Sequence, residues 1–311
     1  MGMGMGMSFA SDSLNRREEL GVPAGSPMVE AKGVRLAVAR EGQGPAVVCL
    51  HAIGHGSRDF AAFAEAVRGR FDIIRIDWPG HGRSGADGEP VSAAHYSDLL
   101  EDALDRLGVE APIIIGCSIG GAAALHYAAR RRVRGLVLCN PGGLRPVTAL
   151  ARWVCRRFAG FFRAGERRAW WFAPLFGAYY RRVLPSPDAA AQRRRITDAG
   201  FESAGVLRQA WESFGRPETD LRYIAATIDV PVWLAWATGD SLVRLGDAMP
   251  CIRRMKRAEV TEFAGGHAAF LEQPGRFAEE FINFAGRLTP PAREAPLPAQ
   301  QEFADQVSNG R

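Results

Sequence analysis

A serine at the centre of a glycine-flanked turn is the first residue whose setting predicts chemistry. Residues 116–120 read Gly-Cys-Ser-Ile-Gly and match the pattern G-x-S-x-G around Ser118. An apolar run typical of a buried strand, residues 112–117, precedes the serine, and an alanine-rich helical pattern, residues 120–132, follows it. A sharp strand-to-helix turn raises such a serine hydroxyl above the sheet edge as a nucleophile. We therefore predict a nucleophile elbow at Ser118; the alternative is a glycine-rich turn with an incidental serine.

A serine nucleophile needs an adjacent general base, and histidine is the expected residue. His267 follows a predicted strand, residues 258–263, in a loop of small residues, and it precedes the last predicted helix. This position places it over the same sheet edge as Ser118. His126 is eight residues beyond Ser118, and we interpret it as a packed helix residue that points away from the turn. We interpret His51 as a residue that braces its loop, His81 as a turn residue and His95 as a surface residue.

The base in turn needs a carboxylate that orients it. Asp240 ends a predicted strand and lies between Ser118 and His267 in the chain, which gives the order Ser, Asp, His found in one large class of hydrolases. The alternative interpretation of Asp240 is an ordinary turn residue at a strand end. We predict the triad Ser118, Asp240 and His267. The competitors for the acidic position are Asp77 and Asp98, while Asn140 ends a strand without a charge.

The loop after the predicted strand 45–50 is the expected source of an oxyanion-hole donor. It reads His-Ala-Ile-Gly-His-Gly-Ser over residues 51–57. We predict that the backbone N–H groups of Ile53 and Ile119 stabilise the oxyanion that forms when Ser118 attacks a carbonyl. The five cysteines form neither a CxxC pair nor a Cys/His cluster, so the sequence predicts no metal site and no cofactor.

Alternating strand and helix patterns must position these residues. Apolar runs such as residues 45–50 and 112–117 are typical of strands covered on both faces. Helical patterns separate the runs, and this βαβα alternation predicts an α/β fold with a mostly parallel central sheet and helices on both faces. The predicted organisation is a flexible leader over residues 1–27, a core over 28–141 and 224–288, a helical cap over 142–223 and a disordered tail over 289–311.

The predicted cap differs in composition from the rest of the chain. It carries 15 arginines against 7 acidic residues, and ten aromatic residues fall between Trp153 and Tyr180. Aromatic residues line both protein cores and ligand pockets, so either a cap core or a pocket for an apolar or aromatic acyl group explains them. Attachment to a membrane surface is a third interpretation, which we do not favour. The predicted substrate-binding residues are Trp153, Phe162, Trp170 and Trp171.

Length, composition and charge narrow the classes of function. The chain has 311 residues, 47% of them hydrophobic and 23% charged, which is typical of a globular protein and excludes a collagen or a wholly disordered chain. The net charge is +5, and the arginine surplus of the cap either steers an anionic substrate or forms a solvated face. We recognise no nucleic-acid-binding module. Because the first 20 residues carry no secretory signal, we predict a cytoplasmic protein in a reducing compartment.

Together these motifs resemble the capped serine hydrolases of the α/β-hydrolase-fold superfamily over about residues 30–288. The resemblance rests on residues 51–54 (His-Ala-Ile-Gly), residues 77–84 (Asp-Trp-Pro-Gly-His-Gly-Arg-Ser), the Gly-Cys-Ser-Ile-Gly-Gly run, the Asp240 turn and the His267 loop. The chain departs from the family at Ala52, where glycine is usual, and a methyl group there narrows the pocket or shifts the loop. Relatives that act as dehalogenases or epoxide hydrolases use aspartate in place of Ser118, so those activities are disfavoured.

The resemblance implies an α/β-hydrolase fold with a helical cap and an esterase-like enzyme. The expected partner is a small-molecule acyl substrate, apolar or aromatic, and not a nucleic acid. We expect a carboxylic ester or a related acyl compound (a lactone, a thioester or the carbon–carbon bond of a diketone) to be cleaved through an acyl-enzyme on Ser118. An acyltransferase and a non-catalytic small-molecule-binding protein on the same fold are the alternatives.

Overall fold

The computed structural model describes residues 16–288, which contain an eight-stranded sheet flanked by helices. The strand order is β1-β2-β4-β3-β5-β6-β7-β8. The pairs β1–β2 and β2–β4 are antiparallel, and every other neighbouring pair is parallel. The predicted α/β class is therefore confirmed. The strands are β1 (Met28–Ala31), β2 (Val34–Gly42), β3 (Ala46–Leu50), β4 (Asp72–Ile76), β5 (Ile113–Cys117), β6 (Gly135–Cys139), β7 (Val232–Ala237) and β8 (Ala258–Phe263).

The central strands are buried along almost their whole length. Every residue of β5, β6 and β7 is buried. Helices cover both faces of such a sheet, so each position of the strand faces apolar side chains and a continuous apolar run is favoured. Each fully buried Ile, Leu or Val side chain contributes about 1.5–3 kcal/mol through the hydrophobic effect. This burial makes the sheet a rigid support for the loops at its edge.

Helices connect the strands and fill both layers. The final helical pattern, predicted over residues 270–288, is divided into two helices at Gln273. Pro274 causes the division, because a proline has no N–H to continue a helix yet suits the first position of a new one. The helices are α1 (Ala61–Val67), α2 (Ala93–Arg106), α3 (Ile119–Ala128), α4 (Ala149–Glu166), α5 (Phe172–Val183), α6 (Ala190–Asp198), α7 (Gly200–Phe214), α8 (Arg222–Thr227), α9 (Leu245–Ile252), α10 (Ala269–Glu272) and α11 (Pro274–Gly286), with short 3₁₀ helices at Ser57–Phe60 and Pro217–Thr219.

The parallel strands bring several loops to one edge of the sheet. Leu50 of β3 pairs with Gly116 of β5, and Cys117 at the end of β5 pairs with Cys139 at the end of β6. Ala237 at the end of β7 pairs in the same way with Phe263 at the end of β8. The carboxyl ends of these strands are therefore aligned, and ligands bind to open α/β sheets at this edge.

Helices α4 to α7 lie between β6 and β7 in the segment predicted as a cap, residues 142–223, which we call the cap segment. Its interior is aromatic: the rings of Phe158 on α4 and Trp211 on α7 stack with centroids 4.1 Å apart. Phe162, Phe172 and Phe176 are fully buried beside them. Stacked and edge-to-face aromatic pairs stabilise such an interior beyond the area that they bury.

The N-terminal boundary differs from the prediction. Residues 1–15 and the predicted tail, 289–311, lie outside the described residues. Leu20 and Val22, which fall in the predicted flexible leader, are each only 1% exposed. Leu20 accepts a hydrogen bond from the N–H of Arg58 through its carbonyl oxygen, and Val22 donates its N–H to Asp77. Isolated apolar residues in a glycine-rich stretch give no periodic pattern, which is why the sequence did not predict this packing.

Candidate active site

Ser118 occupies a strained turn between β5 and α3. Its backbone has φ 53° and ψ −115°, and it is the residue immediately before the first turn of the helix. A positive φ is costly for a residue other than glycine, and strained residues of this kind cluster at functional sites. The turn is tight, because a Cβ atom on Gly116 would lie only 2.5 Å from the carbonyl oxygen of Gly120. Glycine at these positions therefore allows the chain to turn directly beneath the serine.

His267 and Asp240 form a buried hydrogen-bonded pair on the loops after β8 and β7. Nδ1 of His267 lies 2.6 Å from Oδ2 of Asp240, and the two residues are 5% and 6% exposed. A carboxylate accepts hydrogen bonds, so it selects the tautomer in which Nδ1 carries the proton and Nε2 has a free lone pair. The backbone N–H of His267 also donates to the carbonyl oxygen of Val183 in the cap segment, at 2.8 Å. His267 is thus held by hydrogen bonds at both its imidazole and its backbone N–H.

Asn140, at the end of β6, orients Asp240 from the other side. Its Nδ2 donates to Oδ2 of Asp240 at 2.9 Å, and its Oδ1 accepts the N–H of Ala237 at 2.8 Å. The second carboxylate oxygen, Oδ1, accepts the N–H groups of Leu242 and Val243. Asn140 was set aside in the sequence because it has no charge. Its fully buried position and its φ of 40° are the structural signs of its role.

The pair shifts the acidity of both partners. Burial alone would raise the pKa of Asp240, but the charge and hydrogen bond of His267 and the two backbone donors outweigh burial and lower it. Burial alone would lower the pKa of His267, but the charge and hydrogen bond of Asp240 outweigh burial and raise the pKa above its usual value of 6.5. Asp240 is therefore ionised near neutral pH, and His267 is a stronger base than a free imidazole.

A cavity of about 390 Å³ contains both Ser118 and His267. No hydrogen bond joins these two side chains within the described part of the chain, so they share the cavity without direct contact of that kind. The lining is mainly apolar, and a cavity of this kind is the usual form of a small-molecule site. Its apolar residues include Ile53, Ile119, Leu144, Val183, Leu207 and Leu242.

The backbone N–H groups of Ile53 and Ile119 have no acceptor among residues 16–288, and both residues line the cavity. Two buried imidazoles brace the loop that carries Ile53. Nδ1 of His51 donates to the carbonyl oxygen of Ala52 and its Nε2 accepts the N–H of Trp78, while Nε2 of His81 accepts the N–H of Gly54. Burial lowers the pKa of each of these two histidines to about 3, so both rings are neutral.

The four aromatic residues predicted to bind substrate do not line the cavity, and the prediction is corrected accordingly. Trp153 and Trp170 are 53% and 88% exposed, Phe162 is fully buried in the cap segment, and Trp171 packs against Phe161 with ring centroids 6.0 Å apart. The sequence identified the aromatic segment but not which helix face turns inward. The aromatic residues that do line the cavity are Tyr179, Tyr180, Trp211 and Phe214.

His126 also lies elsewhere than predicted. Ser118, Ala122 and His126 are four residues apart on one face of α3, and all three line the cavity. The interpretation that His126 points away is therefore wrong. Asp77, a competitor of Asp240, is fully buried and accepts the N–H groups of Val22 and Ser57. The other competitor, Asp98, pairs with Arg130 at the surface, so neither reaches His267.

Glu272 links the His267 loop to the cap segment, a role that the sequence analysis missed. It is 1% exposed, its Oε1 accepts the N–H of Gly266 at 2.7 Å, and its Oε2 accepts the N–H of Ser186 at 3.1 Å. Burial raises its pKa and outweighs the backbone donors that lower it. One carboxylate therefore joins the residue before His267 to the segment that follows α5.

Metal-ligand clusters and membrane-spanning helices are both absent from the part of the chain that the structure describes. Over residues 16–288, no three His, Cys, Asp or Glu side chains are grouped so that they could hold a metal ion. In the same range no helix combines the length and apolar character needed to cross a bilayer.

A known protein family matches the region that builds this site. The family described as alpha/beta hydrolase fold matches residues 45–274, which is well over half of the chain. The match extends from the start of β3 to the start of α11 and so includes Ser118, Asp240 and His267.

Individual relatives are distant but extend over most of the chain. A pimeloyl-[acyl-carrier protein] methyl ester esterase of Xanthomonas campestris is 29% identical over 259 residues, which cover 79% of this chain and 97% of that protein. An uncharacterised protein of Mycobacterium tuberculosis is 27% identical over 284 residues, covering 83% of this chain and 80% of the other. The solved structure of the enol-lactonase from Burkholderia xenovorans LB400 has a TM-score of 0.72 at 20% identity, over 84% of this chain and 100% of that one, and it shows a shared fold.

Proposed function

Because this chain belongs to the alpha/beta hydrolase fold family, we propose that it is a serine hydrolase that cleaves a carboxylic ester or a related acyl compound. One observation carries the proposal. The strained serine Ser118 shares a cavity with His267, whose Nδ1 is hydrogen-bonded to the buried carboxylate of Asp240. A serine becomes a nucleophile at neutral pH when a histidine accepts its proton and a carboxylate orients that histidine.

The proposed reaction assigns one task to each group. Nε2 of His267 takes the hydroxyl proton of Ser118 as Oγ bonds to the substrate carbonyl carbon, and the carbonyl electrons move onto its oxygen. The tetrahedral intermediate collapses when the leaving group departs with the proton from His267. Water then attacks the acyl-enzyme, with His267 again as base, and releases the acid and free Ser118. The contact between Ser118 and His267 tightens when substrate binds, as is common for catalytic hydrogen bonds.

The backbone groups of Ile53 and Ile119 are the proposed oxyanion donors. Both lack an acceptor in the described residues and border the cavity beside Ser118. The helix that begins at Ile119 adds the positive end of its dipole. Removing one oxyanion donor costs about 3 kcal/mol of transition-state stabilisation in enzymes of this type.

The cavity favours a small substrate with an apolar or aromatic part. In place of the four residues predicted from the sequence, we assign substrate contact to Tyr179, Tyr180, Trp211 and Phe214, which line the cavity from the cap segment. The named substrates of the relatives, a methyl ester and an enol-lactone, are acyl compounds that an acyl-enzyme route cleaves. We further propose a cytoplasmic location, because all five cysteines are buried free thiols and free thiols are typical of a reducing compartment.

Covalent labelling tests the proposal directly. A fluorophosphonate probe should label the wild-type protein once, and Ser118→Ala should abolish the label and the turnover of p-nitrophenyl butyrate. Ser213→Ala is the matched control, because it removes a second buried hydroxyl that also borders the cavity. Persistent labelling of the folded Ser118→Ala protein would overturn the proposal.

The same assay separates the alternatives. An acyltransferase forms the acyl-enzyme but passes the acyl group to an added alcohol or amine faster than to water. A non-catalytic binding protein binds the ester without labelling or turnover. Product analysis with and without a competing alcohol therefore identifies which of the three applies.

A further inference from the structure

A second buried histidine–aspartate pair, whose histidine lines the same cavity, has no part in the proposed reaction. Nδ1 of His55 is 2.5 Å from Oδ2 of Asp59, and the two residues are 2% and 1% exposed. His55 lies in the loop that carries Ile53, and Asp59 lies in the short helix Ser57–Phe60 that follows it. Burying two such groups is costly unless they are hydrogen-bonded, and here each is the hydrogen-bond partner of the other.

The cap segment fixes the carboxylate of this pair. Nε2 of Gln192, on α6, donates to Oδ1 of Asp59 at 2.5 Å. Oε1 of Gln192 in turn accepts a hydrogen bond from Nη1 of Arg195 at 3.0 Å, which fixes the orientation of the amide. Both oxygens of Asp59 are therefore acceptors, one for Gln192 and the other for His55.

This arrangement leaves one nitrogen of His55 free. Because Asp59 occupies Nδ1, Nε2 is the ring nitrogen left to meet a substrate, and it is an acceptor in the tautomer that carries its proton on Nδ1. Within residues 16–288, no group forms a hydrogen bond with that atom, although the residue is almost fully buried. His55 borders the cavity with Ser118 and Ile53, and its ring lies 5.6 Å from that of Tyr180.

From this geometry we infer that His55 is a specificity-determining residue, whose Nε2 accepts a hydrogen bond from a hydroxyl group on the acyl part of the substrate. The inference rests on the proposed function and names its substrate class, the hydroxyacyl compounds. His55 follows Ile53 by two residues and donates its backbone N–H to the carbonyl oxygen of Ala52. Because His55 lines the cavity together with Ser118 and Ile53, the proposal assigns to it a hydroxyl near the reacting carbonyl, on the second or third carbon of the acyl chain.

A bound substrate without a donor would leave the lone pair of Nε2 buried and unpaired. An unpaired buried acceptor costs enough binding energy to reduce kcat/KM by roughly tenfold. The competing explanation is that the pair only ties the cap segment to the core. That role would affect all substrates alike, whereas recognition by Nε2 affects hydroxylated substrates selectively.

The test compares methyl butyrate with methyl 2-hydroxybutyrate and methyl 3-hydroxybutyrate in a proton-release assay. The double variant His55→Phe with Asp59→Asn keeps an aromatic ring beside Tyr180 and avoids leaving a buried charge unpaired. For at least one hydroxy ester, the ratio of its kcat/KM to that of methyl butyrate should be roughly tenfold higher in the wild type than in the double variant. The comparison of ratios cancels the different intrinsic reactivities of the esters.

Gln192→Met is the control for a structural role, because it removes the tie to the cap segment and leaves His55 in place. It should preserve the wild-type ratio. Equal ratios in the wild type and the double variant, for both hydroxy esters, would overturn the inference. Thermal unfolding and fluorophosphonate labelling confirm that each variant is folded.

A failure of the proposed function is distinguishable from a failure of this inference. If none of the three esters is cleaved and the fluorophosphonate probe does not label Ser118, the hydrolase proposal fails, and binding still tests His55. Titration calorimetry of 2- and 3-hydroxybutyramide against butyramide, on the Ser118→Ala protein with and without the double substitution, measures the same preference. A lack of preference for either hydroxy amide in that experiment would overturn the inference independently of turnover.

Discussion

The two buried histidine–aspartate pairs, His267–Asp240 and His55–Asp59, use the same hydrogen bond in different surroundings. In the first pair the residues stand on loops after neighbouring strands, and Asn140 and two backbone N–H groups hold the carboxylate. In the second pair the residues are four apart in one turn, and the side chain Gln192 of the cap segment holds the carboxylate.

This difference shows that a hydrogen-bonded His–Asp pair does not by itself identify a general base. Groups of the sheet edge, which the buried strands keep rigid, anchor the carboxylate of the first pair, and the cap segment holds only the backbone of His267 through Val183. The second pair depends on a contact between the core and the cap segment. We therefore expect the first pair to govern the chemical step and the second to govern the choice of substrate.

The largest expected effect is the difference in activity between removing the imidazole of His267 and removing that of His55. His267→Ala should lower kcat/KM for p-nitrophenyl butyrate by about 10⁴-fold or more, because the proposed base for Ser118 is lost. The double variant His55→Phe with Asp59→Asn should lower it by less than about a hundredfold. Steady-state kinetics, with circular dichroism as the control for folding, measures both. Comparable losses in the two proteins would contradict the division of roles.

The next effect distinguishes the carboxylates of the two pairs, Asp240 and Asp59, by the pH dependence of activity. The proposed reaction needs the neutral imidazole of His267, so kcat/KM should fall as the pH decreases through its pKa, which Asp240 raises above 6.5. Asp240→Asn should lower the rate by about 10⁴-fold and move this acidic limb to lower pH, because the charge that raises the pKa is gone.

The control for this measurement is Asp59→Asn, which should leave the acidic limb in place. The measurement is the pH dependence of kcat/KM for p-nitrophenyl butyrate. An acidic limb that moves with Asp59 rather than with Asp240 would assign the base to His55.

The smallest expected effect concerns the tie between the second pair and the cap segment. Gln192→Met should lower the free energy of unfolding by about 1–3 kcal/mol, because a buried charged acceptor loses its donor. The rate on p-nitrophenyl butyrate should change far less than for the variants above. Urea unfolding monitored by tryptophan fluorescence gives the free energy. An unchanged midpoint would show that the contact does not couple the two parts.

Local sequence patterns predicted the sheet and nominated the residues at its edge. Buried parallel strands need continuous apolar runs, and the glycines around Ser118 are required by a close backbone approach, so both features leave a signature in a few consecutive residues. Asp240 and His267 follow such runs directly. Their pairing in the structure therefore follows from the alignment of neighbouring strand ends.

The parts that the sequence did not predict depend on contacts between distant segments. Asn140 and Glu272 gain their roles from residues that no local pattern connects to them. The cap aromatics differ in the same way, since Trp170 is exposed and Tyr179 borders the cavity although both belong to one aromatic stretch. Which helix face turns inward is set by packing between helices, and composition alone does not contain it.

The hydrogen bond from the N–H of His267 to the carbonyl oxygen of Val183 has a consequence for protein engineering. A chimera whose cap segment comes from another protein must supply an acceptor for the N–H of His267 at the position of Val183, together with a partner for Glu272. Without them the transplanted segment would release the imidazole from its backbone anchor. The resulting loss of turnover would then look like a change in substrate preference, although its origin would be a displaced base.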